Sequence, residues 1–208
     1  MSPDLFITGT DTGVGKTLVS ALLVAALDRS YWKPIQTGAS EGTDRQTVVQ
    51  WSGITADRAH LEAYLFDPAV SPHLAAEQKG IEIDLDRIKR PRSIDPLIIE
   101  GAGGLMVPIN GGTFMRDVPK QLKAPLVIVS RTTLGTINHT LLTIAAARNA
   151  ELEIRGVVFS GNENAENARA VERYGNVPVI GSVPWLDRID RQALRSAFER
   201  HFDPGSFK

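Results

Sequence analysis

Cysteine is absent from the 208 residues, which excludes disulfides and thiolate metal sites without locating the protein in a compartment. Net charge is nearly absent too: 23 Lys and Arg against 24 Asp and Glu leave −1, with a pI near 6.4. That balance gives no electrostatic case for nucleic acid or another polyanion as partner. The one basic run, "RIKRPR" at 87–92, reads as a solvated loop. No apolar stretch reaches the ~20 residues that a membrane span needs. The opening "MSPDLFITG" lacks the basic and apolar regions of a signal peptide, so a cytoplasmic protein is expected. Repeats, low-complexity tracts and convincing linkers are lacking as well, and residues 1–208 read as one domain.

What is present is an alternation. Short Val- and Ile-rich runs, Leu5 to Gly9, Pro96 to Gly101, Pro125 to Ser130, Ile154 to Ser160 and Val177 to Pro184, carry the pattern of strands buried on both faces. Helical patterns lie between and after them: Lys16 to Asp28, Arg116 to Leu122, Ile137 to Asn149, Glu163 to Tyr174 and Asp190 to Phe202. Alternation of this kind implies right-handed crossovers and a layered α/β fold with a mostly parallel sheet. "SYWKPI" offers one more strand ended by Pro34, and residues 53–95 are less regular, with a helix near His73 to Gln78.

Between the first strand and the first helix stands "GTDTGVGKTL", residues 9–18. The usual phosphate loop places four residues between its first glycine and Gly-Lys-Thr, yet counting back from Gly15 reaches Thr10, with Gly9 one place further out. The chemistry survives the shift. Gly13 and Gly15 let the backbone approach a phosphate, Lys16 reaches the β and γ phosphates, and the Thr17 hydroxyl can hold Mg²⁺.

A magnesium triphosphate site also wants carboxylates. "PLIIEGAGG" places Glu100 at the carboxyl end of a buried strand, where open α/β sheets bind ligands, and the glycines after it keep the backbone accessible. Glu100 otherwise reads as a helix cap or ion-pair partner. Asp44 in "GTDRQTV" either caps the following helix or coordinates the metal. Lys33 in "YWKPIQTG" is a surface lysine or an extra cation for phosphoryl transfer, with Thr37 beside it.

Taken in order, "GTDTGVGKT", "KPIQTG", "SPHLAA", "EGAGGLMVPI", "TLGTINHTLLT" and "GSVPWL" resemble dethiobiotin synthetase, from residue 5 to about 186. The shifted loop is similar to that family's own variant. The resemblance implies a P-loop NTPase-like three-layer α/β fold, a homodimer, and a reaction joining 7,8-diaminopelargonate, CO₂ and ATP with Mg²⁺. By matching motif it implies that Gly13, Val14, Gly15, Lys16, Thr17 and Leu18 hold the nucleotide phosphates, and that Gly101, Ala102 and Gly103 line them. Thr17, Asp44 and Glu100 are the implied Mg²⁺ ligands. Lys33 and Lys16 are the implied catalytic lysines, with Thr10 and Thr37 as hydroxyls around the diamine or carbamate. Pro184, Trp185 and Leu186 would lie near the base. Ser160, in "GVVFSG", stands where relatives that recognise adenine strongly place asparagine.

"TLGTINHT" adds a physical hint: if Thr136 caps the next helix, Asn138 lies beside free N–H groups able to bind an anion. Asn138 and His139 are otherwise ordinary helix-start residues; the resemblance gives this segment the substrate carboxylate across a dimer interface. Three rivals are weaker. A partition or septum-positioning ATPase would carry a second lysine where Asp11 stands, an amidoligase related to cobyrinate synthesis would need a glutaminase domain with a cysteine nucleophile, and a dinucleotide oxidoreductase would not carry Gly-Lys-Thr after strand one.

Overall fold

The computed structural model describes residues 3–207. In chain order its elements are β1 (Leu5–Gly9), α1 (Lys16–Leu27), β2 (Ser30–Trp32), β3 (Ile35–Gln36), α2 (Asp44–Ser52), β4 (Ala59–His60), β5 (Tyr64–Leu65) and α3 (Pro72–Gln78). They continue with β6 (Leu97–Gly104), α4 (Asp117–Leu122), β7 (Leu126–Arg131), α5 (Thr136–Asn149), β8 (Ile154–Ser160), α6 (Ala165–Gly175), β9 (Val179–Val183) and α7 (Arg191–His201). Seven strands form one sheet in the order β4-β2-β6-β1-β7-β8-β9, and every pairing between them is parallel. β3 and β5 pair separately.

Side-chain alternation divides the core into layers. Leu5 and Ile7 of β1 pack with Val127 and Val129 against α1, α2 and α7, whereas Phe6 faces the opposite side with Leu97, Ile99 and Leu126. Ile128, Val157 and Phe159 meet Ile144 of α5 and Val171 of α6. α1 is apolar nearly all round, with every residue from Val19 to Ala25 buried, as a helix sandwiched between a sheet and two other helices must be.

The differences from the sequence reading have local causes. β2 stops at Trp32; Pro34 has no N–H for a ladder, and its carbonyl accepts from Ala63 and Tyr64 as the chain turns into β3. β6 continues past Gly101 to Gly104, alongside the phosphate loop. The basic run is more than a solvated loop: Ile88 is fully buried, and Arg90 clamps both carboxylate oxygens of Asp4, with Nε to Oδ2 at 2.6 Å and Nη2 to Oδ1 at 3.1 Å. α2 begins with a capping box, Thr43 accepting from Gln46 N while Gln46 Oε1 accepts from Thr43 N. Asp44 is therefore the first helical residue and not the cap, which leaves its carboxylate free for another partner.

Candidate active site

The loop follows β1 at the carboxyl edge of the sheet and ends at α1, whose N-terminal amides face it. Thr10 fits where glycine is usual because the residue is still strand-like: its N–H donates to Val129 O at 3.0 Å, and positive φ enters the loop only at Gly13 and Gly15. Gly9 has the tighter constraint. A Cβ there would stand 2.8 Å from Asp11 O and from Val14 Cγ2, so the shifted glycine is a packing requirement.

Beside the loop opens a cleft of about 960 Å³. Lys16, Thr17, Lys33, Thr37, Asp44 and Glu100 all line it, as do Gly13, Gly15, Leu18, Ala102 and Gly103. Glu100, fully buried at the floor, organises the polar groups. Thr17 Oγ1 donates to its Oε1 at 2.9 Å, Tyr31 OH donates to its Oε2 at 3.0 Å, and Lys33 Nζ lies 3.4 Å from Oε1. Lys33 Nζ also donates to Asp44 Oδ2. The Asp44 backbone N–H in turn donates to Gln36 Oε1 at 3.0 Å. Lys33 is thus a buried ammonium between two carboxylates, and not a surface lysine.

The two lysines respond differently to burial. Desolvation, together with the Lys33 charge, outweighs Glu100 and Asp44 at Lys16 and moves its pKa below the ordinary value; its Nζ donates to Asp11 O at 2.9 Å. Burial also works to lower Lys33, but the charges of Glu100 and Asp44 and their hydrogen bonds prevail and its pKa is raised. Burial and the neighbouring Glu100 push the Tyr31 phenol well above its usual range, so it donates and does not ionise.

Thr17, Asp44 and Glu100 supply one hydroxyl and two carboxylates, the hard oxygen donors that suit Mg²⁺. The described residues hold no group of three or more His, Cys, Asp or Glu able to cage a metal alone. An ion at this position would draw its remaining ligands from phosphate and water, which is the habit of Mg²⁺ in triphosphate sites.

Other expected residues fall elsewhere. Thr10 faces away from the cleft into a smaller cavity of about 100 Å³, shared with Val14, Ser130, Arg131, Thr136 and His139, so Thr10 and Thr37 stand in different cavities. Gly101 packs inward, where a Cβ would stand 2.9 Å from the Phe6 ring; Ala102 and Gly103 line the cleft instead. Thr136 is not a cap: Gly135, with φ 94°, occupies that position, and the Thr136 hydroxyl donates to Arg131 O at 2.5 Å. Asn138 remains in the first turn of α5, exposed and lining neither cavity.

Ser160 ends β8 opposite Val183, the residue before Pro184, Trp185 and Leu186, so these four gather at one sheet corner. Trp185 is 82 % exposed there, whereas Leu186 packs on the core. Residues missed from the sequence are Tyr31, Gln36, Ser130 and Arg131, whose Nη2 donates to Thr12 O at 3.0 Å. The signal for Tyr31 and Gln36 was their position flanking Lys33; Ser130 and Arg131 carried none beyond ending a strand.

A family model described as "AAA domain" matches residues 4–193. Among curated proteins, "ATP-dependent dethiobiotin synthetase BioD" of Rhodopseudomonas palustris (strain TIE-1) is 46 % identical over 207 residues, covering 100 % of this chain and 98 % of its own length. The protein of the same name from Afipia carboxidovorans is 46 % identical over 208 residues, covering 100 % and 99 %. That from Agrobacterium fabrum is 44 % identical over 207 residues, covering 100 % and 98 %. Among solved structures, a ParA family ATPase from Chlorobium tepidum TLS superposes with a TM-score of 0.57 at 14 % identity, over 96 % of this chain and 92 % of its own. A chain of the MinC:MinD cell division protein complex of Aquifex aeolicus gives 0.54 at 14 %, over 94 % and 86 %. Identities this low speak to the shared P-loop fold alone. No helix among the described residues is long and apolar enough to cross a membrane.

Proposed function

This chain belongs to the dethiobiotin synthetase family, and from that premise we propose that it is an ATP-dependent cyclo-ligase of biotin biosynthesis, converting 7,8-diaminopelargonate, CO₂ and ATP to dethiobiotin, ADP and phosphate. The observation that carries the reading is Lys33, an ammonium held between Asp44 and Glu100 in the cleft that also contains Lys16 and Thr17.

The first amine adds to CO₂ and loses a proton, giving a carbamate. A carbamate oxygen then takes the γ-phosphoryl group as the bond to the β-phosphate oxygen breaks, leaving ADP. The second amine attacks the carbonyl of this carbamic-phosphoric anhydride, expels phosphate, and closes the five-membered ureido ring with loss of its proton. Phosphorylation turns a poor leaving group into a good one, and the charge that develops sits on phosphate oxygens. Positioned cations and backbone dipoles are then the main contribution asked of the protein.

Amides at Gly13 and Gly15 cradle the phosphates, and Lys16 and Lys33 neutralise the migrating group from two sides. Thr17, Asp44 and Glu100 would hold Mg²⁺, which when bound supplies further charge neutralisation on the phosphate oxygens. Thr37 faces the reacting end of the diamine from within the cleft. Asn138 and the first turn of α5 receive the substrate carboxylate across a homodimer interface, Ser160 with Pro184, Trp185 and Leu186 borders the base, and the enzyme works as one cytoplasmic domain per subunit.

The test is a coupled ADP-release assay with each component omitted in turn. ADP release that requires both diamine and bicarbonate is expected. Rapid hydrolysis without diamine, stimulated by a protein partner, would instead describe a switch ATPase.

A further inference from the structure

Arg131, the last residue of β7, lines the small cavity and not the cleft. Its backbone is pinned twice: it pairs with Ser160 across β7 and β8, and its carbonyl accepts from Thr136 Oγ1 at 2.5 Å. Thr136 belongs to a group of buried hydroxyls, with Ser130 Oγ 2.7 Å from Thr136 Oγ1 and accepting from Thr140 Oγ1 at 2.9 Å. From this fixed base the exposed guanidinium, paired with no carboxylate among the described residues, reaches back to the loop and donates through Nη2 to Thr12 O at 3.0 Å. It also covers Gly13: a Cβ built on that glycine would stand 3.4 Å from the same nitrogen.

That single bond sets which way a peptide unit faces. The Thr12–Gly13 peptide is trans, so its carbonyl and its N–H point in opposite directions. With the carbonyl turned to Arg131, the Gly13 N–H is turned away from Arg131, and Gly13 is a residue that lines the cleft. No described residue accepts from this N–H. The preceding peptide is fixed at both ends, since Asp11 O accepts from Lys16 Nζ at 2.9 Å and Thr12 N donates to Asp11 Oδ1 at 2.7 Å. The Thr12–Gly13 unit has the Arg131 bond alone, and its hinge is a glycine with φ 68°, a residue type that adopts either sign of φ about equally well. Rotated by half a turn, the unit would present a carbonyl oxygen where the N–H stood.

We propose that Arg131 is a positioning residue: by holding Thr12 O it keeps the Gly13 N–H facing the cleft as a donor to a nucleotide phosphate. The assignment rests on the nucleotide-binding part of the function proposed above and not on its diamine chemistry. Lys16 holds a loop carbonyl too, but from inside the cleft, where a phosphate competes for the same ammonium. Arg131 stands outside that competition, and its guanidinium stays charged at every working pH.

The test is equilibrium binding of two Mg²⁺ complexes, that of ADP and that of the β,γ-imido analogue of ATP, joined to NMR relaxation of the Gly13 amide in glycine-labelled protein. Arg131→Ala should weaken both ligands by the same factor, roughly 5- to 15-fold, the scale of one hydrogen bond acting through the fraction of loop that is competent to bind. The factor should be the same at low and high salt, because a bond to a backbone carbonyl is not a charge contact with the ligand. Gly13 should show microsecond-to-millisecond exchange in the variant, absent from the wild type and removed by saturating ADP. Arg131→Met keeps an aliphatic stem over Gly13 without the donors; it should match Arg131→Ala, and it serves if that variant does not fold. Wild-type affinity in these variants overturns the assignment. So does a loss that grows from ADP to the triphosphate analogue and fades with salt, which would make Arg131 a direct phosphate contact. Either result leaves the synthetase reading standing, whereas a wild type that binds neither nucleotide overturns both.

Discussion

Ser160 lies directly over Gly15: a Cβ placed on that glycine would stand 2.5 Å from the serine Oγ. Gly15 also has φ 100°, in the left-handed region that side chains avoid. Both constraints act at the N-cap of α1, so Gly15→Ala should abolish nucleotide binding, as read by titration with a fluorescent ATP analogue. Binding within roughly threefold of wild type would mean that the loop can relax at a cost below ~1 kcal/mol, against the strain expected at such a position.

The same contact bears on the choice of base. An asparagine amide could donate and accept on adenine together, whereas Ser160 offers one hydroxyl. The loss of such a bidentate contact is worth about 1–3 kcal/mol of discrimination, roughly 5- to 150-fold. ATP should work, with CTP or GTP accepted more readily than by an asparagine-bearing relative, and Ser160→Asn should sharpen the preference for ATP. The measurement is kcat/KM for ATP, CTP, GTP and UTP. Strict ATP selection in both proteins would turn attention to backbone groups near Pro184 and Leu186.

Lys33→Ala removes the ammonium between Asp44 and Glu100 while leaving the loop and Lys16 in place. Turnover should fall by about 10²- to 10³-fold, the range for losing one preorganised charge-stabilising donor, while nucleotide affinity changes by less than roughly fivefold. Single-turnover kinetics and equilibrium binding separate the two. Near-normal turnover would leave Lys33 as a structural counter-ion.

Tyr31→Phe keeps the ring volume in the core and strips the donor from Glu100 Oε2. An unpaired buried carboxylate oxygen should lower stability by about 1–3 kcal/mol. Because Thr17 and Lys33 still hold the other oxygen, kcat should fall less than in Lys33→Ala. Urea titration and kcat on the same preparation decide the matter; unchanged stability would mean that Glu100 finds another donor.

His60, at the end of β4, has its pKa lowered from 6.5 by burial and then by the Arg90 charge, and its Nε2 is buried without a hydrogen bond. Below pH 6.5 the unfolded chain takes up this proton before the folded one, so stability present at neutral pH is lost as pH falls through the folded pKa. His60→Gln should flatten the fall of Tm on the acid side of pH 6.5. An identical Tm profile in the two proteins would assign the acid sensitivity to other groups.

The fold was legible where pattern and burial coincide. β1, β7 and β8 are apolar runs buried on both faces, and their bounds were read to within a residue. Gly-Lys-Thr and Glu100 were singled out by their types at strand ends, and the structure brings Gly15, Lys16, Thr17 and Glu100 together in one cleft. Lys33 was ambiguous since nothing local says that two carboxylates, one of them 67 residues away, will bury it. Thr136 was misread for a related reason: glycine at 135 can take the left-handed cap, which frees the hydroxyl for Arg131. The Ser130 group escaped notice altogether, because hydroxyl networks depend on which side chains meet across β1, β7 and α5 and leave no periodic trace.

α1 carries Lys16 and Thr17 at its start and is sealed from Val19 to Ala25 against the sheet, α2 and α7. The helix that presents these two cleft-lining side chains is thus also a centre of the core, and between Val19 and Ala25 it has no solvent-facing stripe along which to open. In hydrogen-exchange terms, the amides of Val19 to Ala25 are expected in the slowest class, released only by global unfolding. The loop is therefore anchored on an element that does not loosen piecemeal: whatever remains folded keeps the start of α1 in place.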